Sequence, residues 1–315
     1  MSVSLFRGDM MFGTNSHLFS VLSALFVTFL WSTSWVFIKI GLEDIPALTF
    51  AGMRYVLAFV CLLPLAMRGT NRAAMRELTS RDWAFLAILG VIFYCVTQGA
   101  QFLGLFYLPA ITTNLLISFT TIIVALLGMI LLAEKLSTWQ WIGMAVYLAG
   151  VLVFFYPASL PRDEVLGLVI VMIGVMANAT SALMGRFLNR QARIPALTIT
   201  TVSMGIGSVV LLGIGAAAQG IPNLSLQSWG IILWLALVNT AFAFTIWNQT
   251  LRVLSAMESS IINSAMMIQI PILALIFLGE DISLKEGVGM LLAGFGILMA
   301  QVRRARSTVD DNGDG

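Results

Sequence analysis

Long apolar runs, separated by short clusters of charged and turn-forming residues, dominate the pattern along this chain. Ten of these runs are close to 20 residues long, the length at which an α-helix crosses a hydrocarbon core of roughly 30 Å. The pattern therefore predicts an all-α integral membrane protein with ten transmembrane helices. We place these helices at residues 18–40, 47–67, 83–106, 110–132, 138–156, 165–186, 197–219, 229–251, 257–278 and 285–302.

Composition agrees with this prediction. Of the 315 residues, 59% are hydrophobic and 10% are charged, whereas about a quarter of the residues in a soluble domain are charged. The first apolar run is too long for the apolar segment of a signal peptide, so it is predicted to be a true span. A cytoplasmic leader at 1–17 precedes it, with Met10 and Met11 as further candidate start residues, and an acidic, glycine-containing tail at 303–315 ends the chain.

The distribution of basic residues predicts the orientation. An even number of spans places both termini on one side, and Lys and Arg concentrate in cytoplasmic loops. With the termini inside, 13 basic residues lie on the inner side and 4 on the outer side, which together are the 17 of the chain. Both termini are therefore predicted to be cytoplasmic. The net charge of +2 follows from this topology and predicts the lipid bilayer, not nucleic acid, as a partner.

The sequence contains an internal repeat. A shift of 146 residues aligns the third to fifth spans with the eighth to tenth, including AEKLS at 133–137 with GEDIS at 279–283. The segment IPALT occurs at 45–49 and again at 194–198, which is a shift of 149. Each half then has five helices, and because five is odd, the second half enters the membrane from the opposite side.

The predicted organisation is therefore two inverted five-helix repeats, at 18–156 and 165–302, joined by a linker at 157–164. Secondary transporters commonly have inverted repeats, with the substrate site near the membrane midplane between them. Two alternatives stay open at this point, since channels also use inverted repeats and a duplicated half can be kept for packing alone.

The chain also resembles a known family. The stretch WSTSWVFIKIGLEDIPALTFAGMRY at 31–55, the AEKLS and GEDIS elements, and the Gly-x6-Gly helices that follow them are similar to those of the drug/metabolite transporter (DMT) superfamily, in particular its ten-helix EamA-domain permeases. The resemblance covers about residues 18–302. It implies a bacterial inner-membrane permease that works by alternating access, and family members often export amino acids or other small metabolites.

Polar and aromatic residues within the spans are the candidates for substrate contact, because such polar groups usually face a bundle interior or a cavity. Interhelical hydrogen bonding would explain any one of them equally well, but as a set they favour a cavity. The candidates are Trp31, Ser34, Trp35, Arg54, Tyr94, Gln98, Gln101, Asn114, Ser118, Asn178, Thr240, Trp247 and Asn263.

Two basic residues stand within the first two spans. Arg54 lies roughly 10 Å from the outer end of its helix at 1.5 Å per residue, where it could reach the headgroups or enter a cavity. Lys39 is predicted to be an interface anchor. The glycines of the fifth, seventh and tenth spans suit close helix approach. Glu134 and Glu280 are predicted to belong to turns at helix ends and not to an ion site.

The sequence favours a transporter over an enzyme. It has one histidine, two cysteines far apart, and no phosphate-binding loop, so we expect no metal, no cofactor and no catalysis. No carboxylate lies near a helix centre. The nearest is Glu258, which is predicted to form a solvated pair with Arg252, so we expect transport that does not run through a buried carboxylate.

The expected substrate is a small neutral or zwitterionic metabolite such as an amino acid, exported by a secondary transporter. A phosphorylated substrate would require several cations in the cavity, and only Arg54 and Lys39 qualify. Efflux of drugs or other lipophilic compounds is the main alternative, and a channel the lesser one. The sequence leaves the oligomeric state open, a monomer included.

Overall fold

The computed structural model describes residues 14–132, 136–156, 162–191, 193–251, 253–254 and 256–302. These residues form helices and connecting turns with no strand, and ten of the helices are long and apolar enough to cross a membrane, as predicted. The ten are α1 His17–Gly41, α2 Ala47–Ala66, α3 Ser80–Tyr107, α4 Ala110–Ile130, α5 Thr138–Phe155, α6 Glu164–Leu188, α7 Ala196–Gln219, α8 Leu226–Trp247, α9 Glu258–Phe277 and α10 Leu284–Gln301.

Several boundaries differ from the prediction. The helix of α1 already begins at Thr14, inside the predicted leader, and the helix of α6 begins at Arg162, inside the predicted linker. A short helix, Gly69–Arg76, lies between α2 and α3. The rest of the leader, the tail, and the residues Glu134 and Arg252 lie outside the described residues.

The start of α3 at Ser80 has a local cause. The Thr79 side chain accepts a hydrogen bond from the Asp82 N–H, and the Asp82 carboxylate accepts one from the Thr79 N–H. This reciprocal capping box satisfies backbone donors that a helix start leaves open. It explains why the helix begins three residues before the predicted position.

The two halves of the structure share backbone features at the offset that the sequence predicts. Helix α3 contains a π-helical segment at Val91–Thr97, and α8 contains one that starts 146 residues later, at Leu237–Phe242. The caps that precede these helices, Thr79 and Ser225, are also 146 residues apart. The repeat is therefore visible in local geometry, while the inversion of the second half stays a prediction.

The most extensive contacts between the halves are those of α2 with α7 and of α5 with α10. A Cβ added at Gly150 would lie 2.5 Å from Ala293 N, and one at Gly289 would lie 2.7 Å from Gly150 O. Gly143 and Gly296 are equally close to the facing backbone. These contacts confirm the packing role predicted for the four glycines of α5 and α10. The same prediction is wrong for Gly294, which has no atom within 4 Å of an added Cβ.

The bundle has two ends, which we name by the chain termini. At the terminal face, where α1 begins and α10 ends, His17 Nε2 and Glu258 Oε1 lie 2.7 Å apart. At the opposite face, the turn between α3 and α4 contacts two charged side chains. The carboxylate of Glu280 accepts hydrogen bonds from the N–H groups of Ala110 at 2.6 Å and Ile111 at 3.0 Å.

The second charged group at this turn is Lys39. Its Nζ donates to the carbonyl oxygens of Leu105 at 2.6 Å and Leu108 at 2.8 Å, at the C-terminal end of α3. The ammonium group of Lys39 therefore caps the C-terminal end of α3, and the expectation that Lys39 is an interface anchor stays a prediction. The carboxylate of Glu280 at the start of α4 confirms a role in helix-end chemistry, since anions are stabilised at helix N-termini and cations at C-termini.

Candidate functional site

A cavity of about 300 Å³ lies between the two halves, and we call it the central cavity. Helices α1, α2, α3 and α4 of the first half and α6, α8 and α9 of the second contribute to its wall. Its lining consists of Trp31, Ser34, Trp35, Arg54, Tyr55, Phe93, Thr97, Gln98, Gln101, Ile117, Thr120, Val171, Gly174, Val175, Asn178, Asn239, Phe244 and Met266.

Arg54 is the cation of this lining. Its side chain is 5% exposed and faces the cavity, so it does not extend to the headgroup layer. The Nε–H donates to Thr240 Oγ1 at 3.3 Å, and Cζ lies 5.2 Å from the centre of the Tyr55 ring. No Asp or Glu is present among the lining residues. The guanidinium is thus held by a hydroxyl and an aromatic face, without a protein counter-ion in the cavity wall.

The Tyr55 ring is fixed by α3. Its hydroxyl donates to Gln98 Oε1 at 2.7 Å, and its ring meets the Tyr94 ring edge-on with centroids 5.5 Å apart. Tyr94 is buried and lies behind Tyr55, outside the cavity lining. Tyr55, which the sequence analysis did not select, therefore lies between Arg54 and the amide of Gln98.

The structure brings seven of the predicted residues together in the lining and places the others elsewhere. Those in the lining are Trp31, Ser34, Trp35, Arg54, Gln98, Gln101 and Asn178. Tyr94 and Thr240 support it from behind. Trp247 and Asn263 lie in a second cavity, and Asn114 and Ser118 lie at an interruption of α4.

The interruption of α4 has a counterpart in α9. The Ser118 hydroxyl donates to the Asn114 carbonyl at 2.9 Å, and the Ser264 hydroxyl donates to the Ser260 carbonyl at 3.0 Å. Hydroxyl bonds to the carbonyl four residues earlier bend helices. Asn114 and Ser118 are thus part of a bend that occurs in both halves at the 146-residue offset.

The π-helical segments bring further polar groups to the cavity. The hydroxyls of Thr97 and Thr240 donate to the carbonyls five residues earlier, those of Ile92 at 3.0 Å and Leu235 at 2.8 Å. Such segments are frequent at functional sites. Here they place Thr97 in the lining and orient Thr240 toward Arg54.

Asn239 is a further polar lining residue that sequence reasoning missed. It lies in the π-helical segment of α8, and its Nδ2 donates to the Leu30 carbonyl and to Thr33 Oγ1. Because the Leu30 carbonyl can only accept, the amide orientation is determined. Its Oδ1 is buried without a hydrogen-bond partner. The available signal was an amide inside an apolar span, but its repeat counterpart is the apolar Phe93.

The sequence profile of the EamA-like transporter family matches residues 18–156 and 165–301, which together are most of the chain. The chain belongs to the EamA-like transporter family. It is therefore a multi-pass integral membrane transporter, and its two family matches correspond to the two halves that line the central cavity.

Similar proteins carry transporter names. The uncharacterized transporter YoaV of Bacillus subtilis is 25% identical over 290 residues, covering 89% of this chain and 95% of its own length. An uncharacterized transporter of Archaeoglobus fulgidus is 25% identical and covers 89% and 98%. The uncharacterized inner membrane transporter YedA of Escherichia coli K12 is 25% identical and covers 75% and 74%.

A solved crystal structure shows the same fold. It covers 91% of this chain and 99% of its own chain, with a TM-score of 0.62 and 15% sequence identity. At this identity the likeness concerns the fold alone.

This EamA-like transporter has a second cavity of about 470 Å³ toward the terminal face, which we call the terminal cavity. Its described lining comes from α1, from α9, and from the end of α8 with the turn that follows it. Trp31 lines both cavities, and its ring contacts those of Trp247 and Phe244 with centroids 5.1 and 5.5 Å apart. The lining consists of Trp31, Trp247, Leu251, Leu254, Ser259, Ser260 and Asn263.

Proposed function

We propose that this EamA-like transporter exports a small neutral or zwitterionic metabolite, such as an amino acid, by alternating access. The observation that supports this most strongly is the position of Arg54 in the central cavity without an acidic residue in the lining. A charge at a helix centre costs about 2.5–3.5 kcal/mol on insertion scales. A substrate carboxylate would supply the counter-ion that the cavity wall lacks.

The hydrogen-bonding capacity of Arg54 fits this role. A guanidinium has five N–H donors in a planar fork that matches a carboxylate. Among the described residues, only the Nε–H of Arg54 has a hydrogen-bond acceptor, Thr240. The four remaining donors can therefore bind both oxygens of one carboxylate.

The lining also contains an unpaired hydrogen-bond acceptor, in contrast to the hydrogen-bond donors of Arg54. Asn239 precedes Thr240 in the chain, and its Oδ1 is an unpaired acceptor. That oxygen is shielded from solvent, so its use requires a small movement of the lining, as when a site closes around its ligand. Arg54 and Asn239 would then bind the carboxylate and the ammonium group of one zwitterion.

The aromatic residues of the lining would determine which side chain the substrate can have. Trp31, Trp35, Phe93 and Phe244 present aromatic surface, which favours an apolar or aromatic side chain. The volume of about 300 Å³ is at the lower end of the range of roughly 300–1,000 Å³ for small-molecule sites. This size favours a metabolite over a drug-sized compound.

Transport of labelled amino acids in proteoliposomes tests the proposal. We expect saturable flux of a neutral amino acid with an apolar or aromatic side chain, competed by its unlabelled form. Flux of lipophilic cations or drugs without flux of any amino acid would replace the proposal by multidrug efflux. Flux that does not saturate with any solute would favour a channel.

The proposed location is the bacterial inner membrane with both termini cytoplasmic, which is supported by the 13 to 4 distribution of basic residues. Reporter fusions to the C-terminus test this orientation. Fluorescence of a fused green fluorescent protein is expected, since that reporter matures in the cytoplasm. Activity of a fused alkaline phosphatase, which requires export, would contradict it.

A further inference from the structure

The two cavities lie on either side of one side chain. Trp31 is in the lining of both, whereas Trp35, one turn further along α1, is in the lining of the central cavity only. The Trp31 ring packs against Trp247, which lines the terminal cavity, and against Phe244, which lines the central cavity. The side chain of Trp31 therefore lies at the border of the two cavities.

The cavities differ in chemistry. Among the described residues, the terminal cavity is lined by apolar groups of α1 and of the α8 end and by the polar side chains of Ser259, Ser260 and Asn263 on α9, with no charged residue. The central cavity contains Arg54. The described lining of the terminal cavity therefore offers a dipolar solute weaker polar contacts than Arg54 offers in the central cavity.

The Trp31 side chain between the two cavities can change its conformation without unfolding the protein. Trp31 is partly exposed, and its ring contacts two aromatic rings on α8, those of Trp247 and Phe244. Rotamer changes of partly exposed side chains are fast compared with transport cycles. The adjoining backbone of α8 is its π-helical segment, Leu237–Phe242, a type of helix that is frequent at functional sites.

We propose that Trp31 is the gate between the central cavity and the terminal cavity, and that the terminal cavity is a transit site for the substrate. The solute passes between the terminal face and Arg54 when the Trp31 indole leaves its contacts with Trp247 and Phe244. The assignment of this route to the substrate rests on the proposed transport function. The gate itself can be tested without any substrate.

The rate at which a cysteine placed in each cavity reacts with a thiol reagent tests the gate directly. In a background with Cys61→Ser and Cys95→Ala, single cysteines are introduced as Ser260→Cys in the terminal cavity and Gln101→Cys in the central cavity. A membrane-impermeant thiol reagent is applied to spheroplasts and to inverted membrane vesicles. The preparation in which Ser260→Cys reacts is the one that exposes the terminal face, and Gln101→Cys is then measured in that preparation.

We expect Gln101→Cys to react slowly with Trp31 present and about tenfold faster or more with Trp31→Ala, because two aromatic contacts are lost. Trp35→Ala is the matched control and is expected to leave the rate within about twofold, well below that change. Trp247→Ala removes one of the two contacts and is expected to accelerate the reaction less, which provides a second test should Trp31→Ala not fold.

Equal rates with and without Trp31 would overturn the gate, as would equal acceleration by Trp35→Ala. Failure of Trp247→Ala to change the rate, where Trp31→Ala does not fold, would also overturn it. None of these results depends on amino-acid flux. A failed gate and a failed transport assignment are therefore distinguishable.

Discussion

Arg54 Nε donates a hydrogen bond to Thr240 Oγ1 at 3.3 Å and so joins α2 of the first half to the π-helical segment of α8 in the second. The contact places the cation of the central cavity at the junction of the halves. Movement of the halves relative to each other would alter the position of this guanidinium. The proposed carboxylate site and the proposed alternating access are thus coupled through one side chain.

The contact between α5 and α10 leads to a stability prediction with an internal control. Gly296→Ala adds a Cβ against the backbone of Tyr147 and Gly143, and we expect a loss of about 1–3 kcal/mol. Gly294→Ala, on the same helix, meets no atom within 4 Å and is expected to be neutral or to stabilise by about 0.5–1 kcal/mol. Thermal denaturation in detergent measures both, and equal effects would contradict the packing role.

The cap that Glu280 forms on α4 leads to a second prediction. Glu280→Gln removes the charge and one acceptor from the N-terminal amides of Ala110 and Ile111, and we expect a loss of about 1–3 kcal/mol. Asp281→Asn changes the same charge at the neighbouring exposed position and is the control. The same denaturation assay applies, and a melting temperature unchanged by Glu280→Gln but lowered by Asp281→Asn would refute the cap.

How far the sequence determines the fold can be judged from particular positions. The starts of α3 and α10 follow from local signals, because the side chains of Thr79, Asp82, Ser283 and Glu286 hydrogen-bond within one helical turn. The ten spans could also be predicted from the sequence, because each span corresponds to one apolar run of sufficient length. Such features depend on neighbours in the chain, so reading along the chain can identify them.

The backbone partners of Lys39 and Glu280 could not be predicted in this way. Each binds backbone groups of a helix more than 60 residues away, so the partner depends on which helices pack together. The role of Asn239 also depends on tertiary packing, because its Nδ2 donates to Leu30 and Thr33 on another helix and only Oδ1 is left unpaired. For the candidate site, the sequence identified polar and aromatic residues within the spans. Which of them line the cavity and which lie behind the lining depends on tertiary packing.

The unpaired oxygen of Asn239 leads to a prediction about substrate chemistry. In the parent, phenylalanine is expected to compete for transport at least about tenfold better than 3-phenylpropanoate, which lacks the ammonium group. Asn239→Leu is expected to reduce this preference to near unity. Thr33→Val removes one acceptor of Nδ2 but leaves Oδ1, so the preference should remain. An unchanged preference in Asn239→Leu would exclude Oδ1 as the ammonium acceptor.

The position of Glu258 leads to a prediction about energy coupling. It lies 2.7 Å from His17 at the terminal face and is not in the lining of the central cavity, so we expect transport without proton movement through this carboxylate. Internal pH recorded in loaded proteoliposomes should respond to substrate equally in the parent and in Glu258→Gln. Substrate-dependent proton movement that disappears in Glu258→Gln would show coupling and contradict the prediction.

The most direct test of the central claim measures the binding of two ligands to Arg54 variants. The purified protein is titrated with phenylalanine and with 2-phenylethylamine, which lacks the carboxylate. Arg54→Ala is expected to weaken phenylalanine binding roughly tenfold to a hundredfold and to leave 2-phenylethylamine binding nearly unchanged. Arg54→Lys keeps the charge without the planar fork and should restore binding in part. Equal losses for both ligands, or no loss for phenylalanine, would contradict a carboxylate site at Arg54.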